Sequence, residues 1–294
     1  MTPPAFPPAF PPAFPSAAPG TSPGGSGPPE PLPALTVAFS TRGARALGLD
    51  PAAWPAADGL DYLVLAQEAD PATAPPAAPL AAHLATLEAR ADVAVARLAT
   101  TGLARSRNAA LDRARGEILL IADDDVTHVE GAFDAIRSYF RDHPRVDLLV
   151  GLSLDAAGAP RRRPVRARLT PWNAGRSASH EIAVRLAPVR AAGVRFDEGF
   201  GVGAGTASFL GEEYIFLTDC LRAGLAGEHR PLPVSVHPAP SSGAIWSGPA
   251  AARARAAAIA RVFGGWAPLA RAAYAARNAR RFGSARDLLT FLRG

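Results

Sequence analysis

Short apolar segments alternate with segments of helical spacing over the first half of the chain. Strands that alternate with helices in this way are typical of right-handed βαβ units on a parallel sheet. We therefore predict an α/β fold, with a Rossmann-like, mostly parallel sheet flanked by helices. The apolar runs predict strands at 35–39, 60–65, 91–98, 117–122 and 146–150, and the helical spacing predicts helices at 80–90, 103–114 and 130–141.

The second half has a less regular pattern. A Pro/Arg-rich connection at 160–171 precedes a predicted strand at 181–186. A glycine-rich loop at 199–205 then leads to a predicted helix at 212–223. The last 45 or so residues are rich in Ala and Arg, and they predict helices broken at Gly264 and Gly265. The fold is therefore expected to carry a helical C-terminal extension.

Composition sets the expected domain boundaries. The tetrapeptide P-P-A-F occurs three times in residues 3–14, and a Ser/Gly/Pro tract follows it. Such a segment cannot bury enough apolar surface to offset its ordering entropy, so we expect a disordered tail at 1–33. The folded domain is expected at 34–248 and the helical extension at 249–294. The tail has no basic region followed by an apolar one, so we do not expect it to be a secretory signal.

Charge and cysteine content narrow the classes of partner. All 31 basic residues are arginine, and the formal net charge is +5. We interpret this as a compositional bias and expect no nucleic-acid partner. The single cysteine, Cys220, excludes an internal disulfide and fits a reducing cytoplasm. The arginine cluster at 161–168 leaves two interpretations open: contact with a phosphate-rich donor, an anionic acceptor or a membrane surface, or a solvated loop.

Three consecutive carboxylates are the most informative feature of the chain. The run L-L-I-A ends in Asp123, Asp124 and Asp125, which reads as a buried strand that ends at the rim of the sheet. Ligands of open α/β sheets bind in the crevice at that rim. Three like charges need a cation or hydrogen-bond donors nearby. Oxygen ligands suit Mn2+ or Mg2+, which would bridge the phosphates of a substrate.

The helix before this strand supplies a resemblance. Residues 102–118 read G-L-A-R-S-R-N-A-A-L-D-R-A-R-G-E-I. Together with I-A-D-D-D-V, this stretch resembles the nucleotide-sugar half of the GT-A family 2 glycosyltransferases. The resemblance implies a GT-A-like fold in which Arg107 and Asn108 bind the donor. It also implies that Asp125 ligates the metal and that Asp123 holds the ribose or the water shell of the metal. Asp123 is also a candidate metal ligand, and Asp124 is a further donor-binding candidate.

A second match follows about 85 residues later. Residues 196–200 read F-D-E-G-F, and G-E-E at 211–213 opens the predicted helix. In the family, the final acid of a comparable G-E-D is the catalytic base of an inverting transfer. The resemblance therefore implies Glu213 as the base, preceded by Glu212. Glutamate instead of aspartate departs from the family pattern, and two acids in the first turn of a helix also complement its dipole without any catalytic role.

The remaining candidates lie at other strand ends. A late histidine completes the metal site in several GT-A enzymes, which implies His237 as a ligand. Residues 40–42 follow the first predicted strand, where the loop of the family meets the nucleobase. The P-x-Y-N sequence that is usual in that loop is missing, so the identity of the nucleobase stays open. The donor-binding candidates at these strand ends are Ser40, Thr41, Arg42 and Gln67.

The implied reaction is transfer of a sugar from a nucleoside diphosphate donor to a hydroxyl of a glycan or lipid-linked acceptor, with Mn2+ or Mg2+. The protein is expected in the cytoplasm. Its C-terminal helices would either touch the inner face of the membrane or pack against the catalytic domain. The arginines of this extension are Arg253, Arg255, Arg261, Arg271, Arg277, Arg280 and Arg281.

Two rival functions are open at this stage. The run D-D-D-V-T also fits the first motif of haloacid-dehalogenase-type phosphatases, with Asp123 as nucleophile and Asp125 as general acid. That motif normally lies on the first strand and works with a lysine, whereas this chain has none. The second rival is an inactive module that binds a sugar nucleotide without turnover. The occurrence of both D-x-D and G-E-E argues against it.

Overall fold

The computed structural model describes residues 31–68, 77–237 and 245–294. Within these ranges nine strands form one sheet. The strands are β1 (Leu35–Arg42), β2 (Leu60–Gln67), β3 (Val93–Leu98), β4 (Ile118–Asp123), β5 (Thr127–His128), β6 (Leu148–Leu154), β7 (Ala167–Arg168), β8 (Ile182–Arg185) and β9 (Gly227–Val236).

The strand order is β3-β2-β1-β4-β8-β6-β9-β5, and β7 also pairs with β9. Strands β3, β2, β1 and β4 are parallel, as the alternation of strands and helices predicted. Strand β8 is inserted antiparallel between β4 and β6, and β9 runs parallel to β6. The predicted α/β fold with a mostly parallel sheet is confirmed.

Helices cover both faces of the sheet, so its central strands are almost continuously buried. Successive residues of β1 point to opposite faces: Phe39 packs in one core with Tyr62 and Phe140, whereas Ala38 packs in the other with Phe216. The helices of this domain are α1 (Ala77–Glu88), α2 (Leu103–Arg113), α3 (Ala132–Asp142), α4 (Leu186–Ala191) and α5 (Glu212–Arg222).

Two local predictions need correction. Strand β1 continues to Arg42, so residues 40–42 belong to the strand and not to a loop after it. A glycine just after a helix predicts a left-handed stop at Gly116, but α2 ends at Arg113, the following Ala114 has an extended ψ, and Gly116 has no positive φ. Gly116 is needed for another reason. A Cβ there would lie 2.6 Å from the backbone nitrogen of Thr36, because the chain passes close to β1.

Three C-terminal helices follow, α6 (Pro249–Phe263), α7 (Ala267–Asn278) and α8 (Ala285–Arg293), with the predicted break at Gly264 and Gly265. They share a small apolar core that includes Phe282, Phe291 and Tyr214 of α5. Arg261 also binds Asp219 of α5 at 2.7 Å, so the extension packs against the sheet domain. In the described ranges, no helix is long and apolar enough to cross a membrane. The predicted tail lies outside these ranges, apart from residues 31–33.

Candidate active site

The predicted site residues meet at the carboxyl ends of β1 and β4, beside α2 and α5. Arg107 of α2 is the link between them. Its side chain is 2% exposed, and it donates to Glu212 at 2.7 Å and to Asp123 at 3.3 Å. Two carboxylates from distant segments therefore share one buried guanidinium. A buried charge is tolerated only when it is paired in this way, so Arg107 holds α5 in place against β4.

Asp123 is surrounded by donors. Ser179 donates to its Oδ2 at 2.8 Å, and His180 Nδ1 lies 3.4 Å from the same oxygen. Burial alone would raise the pKa of Asp123, but the hydrogen bond with His180 and the charge of Arg107 hold that pKa well below its usual range. Sequence reasoning missed Ser179 and His180, since they follow no motif and reach the site only through tertiary packing.

Asp124 faces away from the open side of the site. Its side chain is 4% exposed, and it accepts from Thr41 Oγ1 at 2.7 Å and from Arg45 Nε at 2.9 Å. Thr41 thus lies at the predicted edge of the sheet and holds the Asp124 carboxylate by a hydrogen bond. Arg45 was not predicted. In the sequence, Arg45 is marked only by its position three residues after the end of β1, and that position alone does not predict a functional residue.

Asp125 is the most accessible of the three aspartates, with 45% of its side chain exposed. Its Oδ1 lies 3.5 Å from Nε2 of the buried His237, a separation that two ligands of one divalent ion can have. Carboxylate and imidazole both suit Mn2+, so these two residues fit the expected ion. Among the described residues no group of three or more His, Cys, Asp or Glu forms a metal site. The other ligands of such an ion would be substrate oxygens and water.

Glu213 carries an unpaired oxygen. Its Oε2 is buried and has no hydrogen-bond partner among the described residues. Burial, and then the neighbouring charge of Glu212, raise the pKa of Glu213 to about 8. Glu212 itself is the partner of Arg107, and a Cβ at Gly201 would lie 2.7 Å from its carboxyl carbon. The two adjacent acids therefore differ: Glu212 is bound in an ion pair, and Glu213 keeps one buried oxygen without a partner among the described residues.

The Asn108 side chain makes its hydrogen bonds to other residues of the protein. Its amide donates to the carbonyl of Phe196 at 3.0 Å and accepts from the Phe196 N–H at 2.8 Å. It also donates to Glu198 at 3.1 Å. These contacts hold the F-D-E-G-F loop against α2 and favour a positioning role, and donor binding by Asn108 stays a prediction.

The strand-end candidates lie at the same edge. Ser40 is buried and accepts from Ser106 of α2 at 2.8 Å. Gln67, the last residue of β2, donates to the carbonyl of Gly102 at 3.1 Å. Arg42 is exposed and donates to the carbonyl of Glu68 at 3.2 Å. The structure thus brings these residues together, while their contacts with a donor stay predictions.

Comparisons with known proteins agree with this architecture. The family model described as glycosyl transferase family 2 matches residues 76–196. The crystal structure of S. aureus TarS superposes with a TM-score of 0.54 and 16% identity, over 83% of this chain and 43% of that chain. The chain therefore spans less than half of that longer TarS chain.

Two further solved structures are of TarS 1-349. Its complex with UDP-GlcNAc has a TM-score of 0.56 and 13% identity, over 88% of this chain and 78% of that chain. Its complex with UDP has a TM-score of 0.53 and 14% identity, over 84% of this chain and 72% of that chain. At these identities the likeness shows a shared fold. No curated protein sequence matches the chain.

Proposed function

Since the chain carries a family 2 glycosyltransferase segment at 76–196, we propose that it transfers a sugar from a nucleoside diphosphate donor to an acceptor hydroxyl. The donor class is supported by the two TarS complexes, which contain UDP-GlcNAc and UDP. The transfer is inverting and uses Mn2+ or Mg2+. The acceptor is a glycan or a lipid-linked glycan.

One observation carries this proposal: Glu213, whose buried Oε2 has no hydrogen-bond partner among the described residues, directly follows Glu212, which shares Arg107 with Asp123. Its raised pKa suits a group that takes a proton near neutral pH. We assign to Glu213 the removal of the proton from the acceptor hydroxyl as that oxygen attacks the sugar. Arg107 pairs with the adjacent Glu212 at 2.7 Å, whereas Oε2 of Glu213 has no partner among the described residues, so we assign the proton transfer to Glu213.

The divalent ion would be held by Asp125 and His237. When bound, such an ion neutralises the charge of the departing diphosphate. Asp123, with both oxygens accepting from protein donors, is oriented toward the donor by Arg107 and Ser179. Asp123 would be a second ligand of the ion. Thr41, Ser40 and Gln67 line the edge on which the nucleoside would lie.

The first test is a calorimetric titration of nucleoside diphosphates and sugar nucleotides, with Mn2+ and with a chelator. We expect metal-dependent binding of one nucleotide, UDP first among the candidates, and its loss in Asp125→Ala. Asp112→Ala is the matched control, because Asp112 is an exposed aspartate paired with Arg195. Hydrolysis of a simple phosphate ester in Mg2+ without any nucleotide binding would favour the phosphatase. Nucleotide binding without transfer would favour the inactive module.

We also propose a peripheral contact of the C-terminal helices with an anionic membrane. Trp266 is 71% exposed and Leu269 is 64% exposed, at the junction of α6 and α7. Exposed apolar side chains near exposed arginines are typical of helices that lie on a membrane surface. Arg255 and Arg261 are excluded from this role, since Arg255 packs on Trp246 and Arg261 binds Asp197 and Asp219.

A further inference from the structure

Arg45 connects two parts of the site that no motif joins. It lies on a short 3-10 helix, Gly43–Gly48, directly after β1. Its guanidinium reaches the end of β4 and contacts both Asp124 and Asp125. Because the resemblance and the family motifs leave this arginine out, its role has to be argued from these contacts.

The contact with Asp124 is an anchor. Nε of Arg45 lies 2.9 Å from each oxygen of Asp124, and Nη2 contacts the same carboxylate. Thr41 donates to that carboxylate at 2.7 Å. The Asp124 side chain is only 4% exposed, so the carboxylate of this charge-assisted pair is shielded from water, whereas the Arg45 side chain is 60% exposed. We expect Asp124 to keep Arg45 in place whatever binds at the site.

The contact with Asp125 is exchangeable. Nη2 of Arg45 lies 3.0 Å from Oδ2 of Asp125, and the two side chains are 60% and 45% exposed. Ion pairs in such exposed positions contribute little free energy. The hydrogen bonds of Arg45 to Asp124 and Asp125 are donated by Nε and Nη2. One edge of the guanidinium is therefore fixed by Asp124, and the other edge faces the open site.

We propose that Arg45 is a donor-binding residue that exchanges partners when the site is loaded. In the free protein its guanidinium neutralises Asp125 and competes there with a divalent cation. When cation and donor bind, Asp125 is released to the cation, and the open edge of Arg45 donates to an oxygen of the donor diphosphate. Guanidinium suits this second partner, because its planar fork matches phosphate oxygens. The inference rests on the proposed function.

This exchange predicts opposite effects on two ligands. Loss of the Arg45 charge removes a competing cation beside Asp125, so Mn2+ alone should bind more tightly. The same loss removes a charge-assisted hydrogen bond to the diphosphate, so UDP should bind more weakly once Mn2+ is saturating. If Arg45 only held the aspartates in shape, its loss would weaken both ligands together.

The experiment is calorimetric titration of Mn2+ alone, and then of UDP at saturating Mn2+, on the wild type and Arg45→Gln. We expect Arg45→Gln to bind Mn2+ about fivefold more tightly and UDP about tenfold more weakly. Arg222→Gln is the matched control. Arg222 is 46% exposed and pairs with Asp219 in the last turn of α5, at the opposite end of that helix from Glu212. Both of its affinities should stay within about twofold of the wild type.

Arg45→Lys keeps the positive charge but removes the planar guanidinium fork. It is the test variant if Arg45→Gln does not fold. It should bind Mn2+ like the wild type and UDP several-fold more weakly. Affinities that are both unchanged, or that both fall in Arg45→Gln, would overturn the inference alone. A wild type that binds no UDP with Mn2+ would overturn the proposed function as well.

Discussion

As the proposed base, Glu213 would set the pH range in which the site can act. A base accepts a proton only when it is ionised, and burial together with Glu212 raises the pKa of Glu213 to about 8. Glu212 has a different environment only one residue away, because Arg107 binds it at 2.7 Å. Two adjacent acids with the same chemistry thus have different environments, and the proposal gives them separate tasks on that ground.

The pH dependence of transfer follows from this assignment. The fraction of ionised Glu213 rises with pH, so kcat/KM of the wild type should rise about tenfold per pH unit toward pH 8 and then level off. Glu213→Gln should bind the donor normally and lose transfer by a factor of about 100 to 10,000. Initial rates between about pH 6 and pH 9 measure both effects.

Asp134→Asn is the control for this experiment, since Asp134 is a 69% exposed aspartate on α3. It should reproduce the wild-type profile. Undiminished transfer by Glu213→Gln would remove the base from the mechanism, and Glu212 would be the next candidate.

At the scale of elements, β4 depends on a close approach between two chain segments. The chain that leads into β4 passes β1 so closely that a Cβ at Gly116 would lie 2.6 Å from the Thr36 nitrogen and 2.9 Å from the Ala34 carbonyl oxygen. Gly116 N–H also donates to Thr36 Oγ1 at 2.8 Å. These are backbone neighbours within the sheet, and they cannot move aside as a flexible side chain does.

We therefore expect Gly116→Ala to lower the free energy of unfolding by about 2 kcal/mol, as overpacking of a dense core does. Denaturant titration measures the change. Gly265→Ala is the control, because a Cβ there would meet nothing within 4 Å. The control should stay within about 0.5 kcal/mol of the wild type. Equal stability of both variants would show that β1 and β4 can separate without cost.

For the whole molecule, the C-terminal helices extend the domain and present a surface of their own. They pack on α5 through Tyr214 and Arg261, so the helix that begins with Glu212 is supported along its outer side. Trp266 and Leu269 stay exposed on this extension. Two exposed arginines lie nearby in sequence, Arg277 and Arg280.

This surface leads to a prediction for vesicle binding. Replacing Trp266 and Leu269 together by Ala should lower the fraction of protein that sediments with phosphatidylglycerol-containing vesicles by about threefold to tenfold, because buried apolar area drives such binding. Val202→Ala, which changes an exposed valine of the glycine-rich loop, is the control and should sediment like the wild type. Equal sedimentation of all three proteins would contradict the membrane contact.

Much of the fold and part of the site could be predicted from sequence. Local patterns of apolar residues and glycine predict three features of the fold. These are the alternation of strands and helices along the first half of the chain, the strand that ends in Asp123, and the break between helices at Gly264. These patterns depend on neighbours a few residues apart, so they can be read without the tertiary structure. The predicted edge of the sheet also brought Thr41, Asp123 and Glu212 into one site.

Only the tertiary structure decided which partners complete that site. Arg45, Ser179 and His180 reach the aspartates from segments 56 to 79 residues away in sequence, and no local pattern marks them. The insertion of antiparallel β8 between β4 and β6 brings the segment with Ser179 next to Asp123. Strand order depends on pairing between distant segments, and the free energy of such pairing comes from packing over the whole sheet. For this reason the local sequence determined the strands, the helices and the positions of the acidic residues in them. The tertiary packing determined which residues pair with those acids.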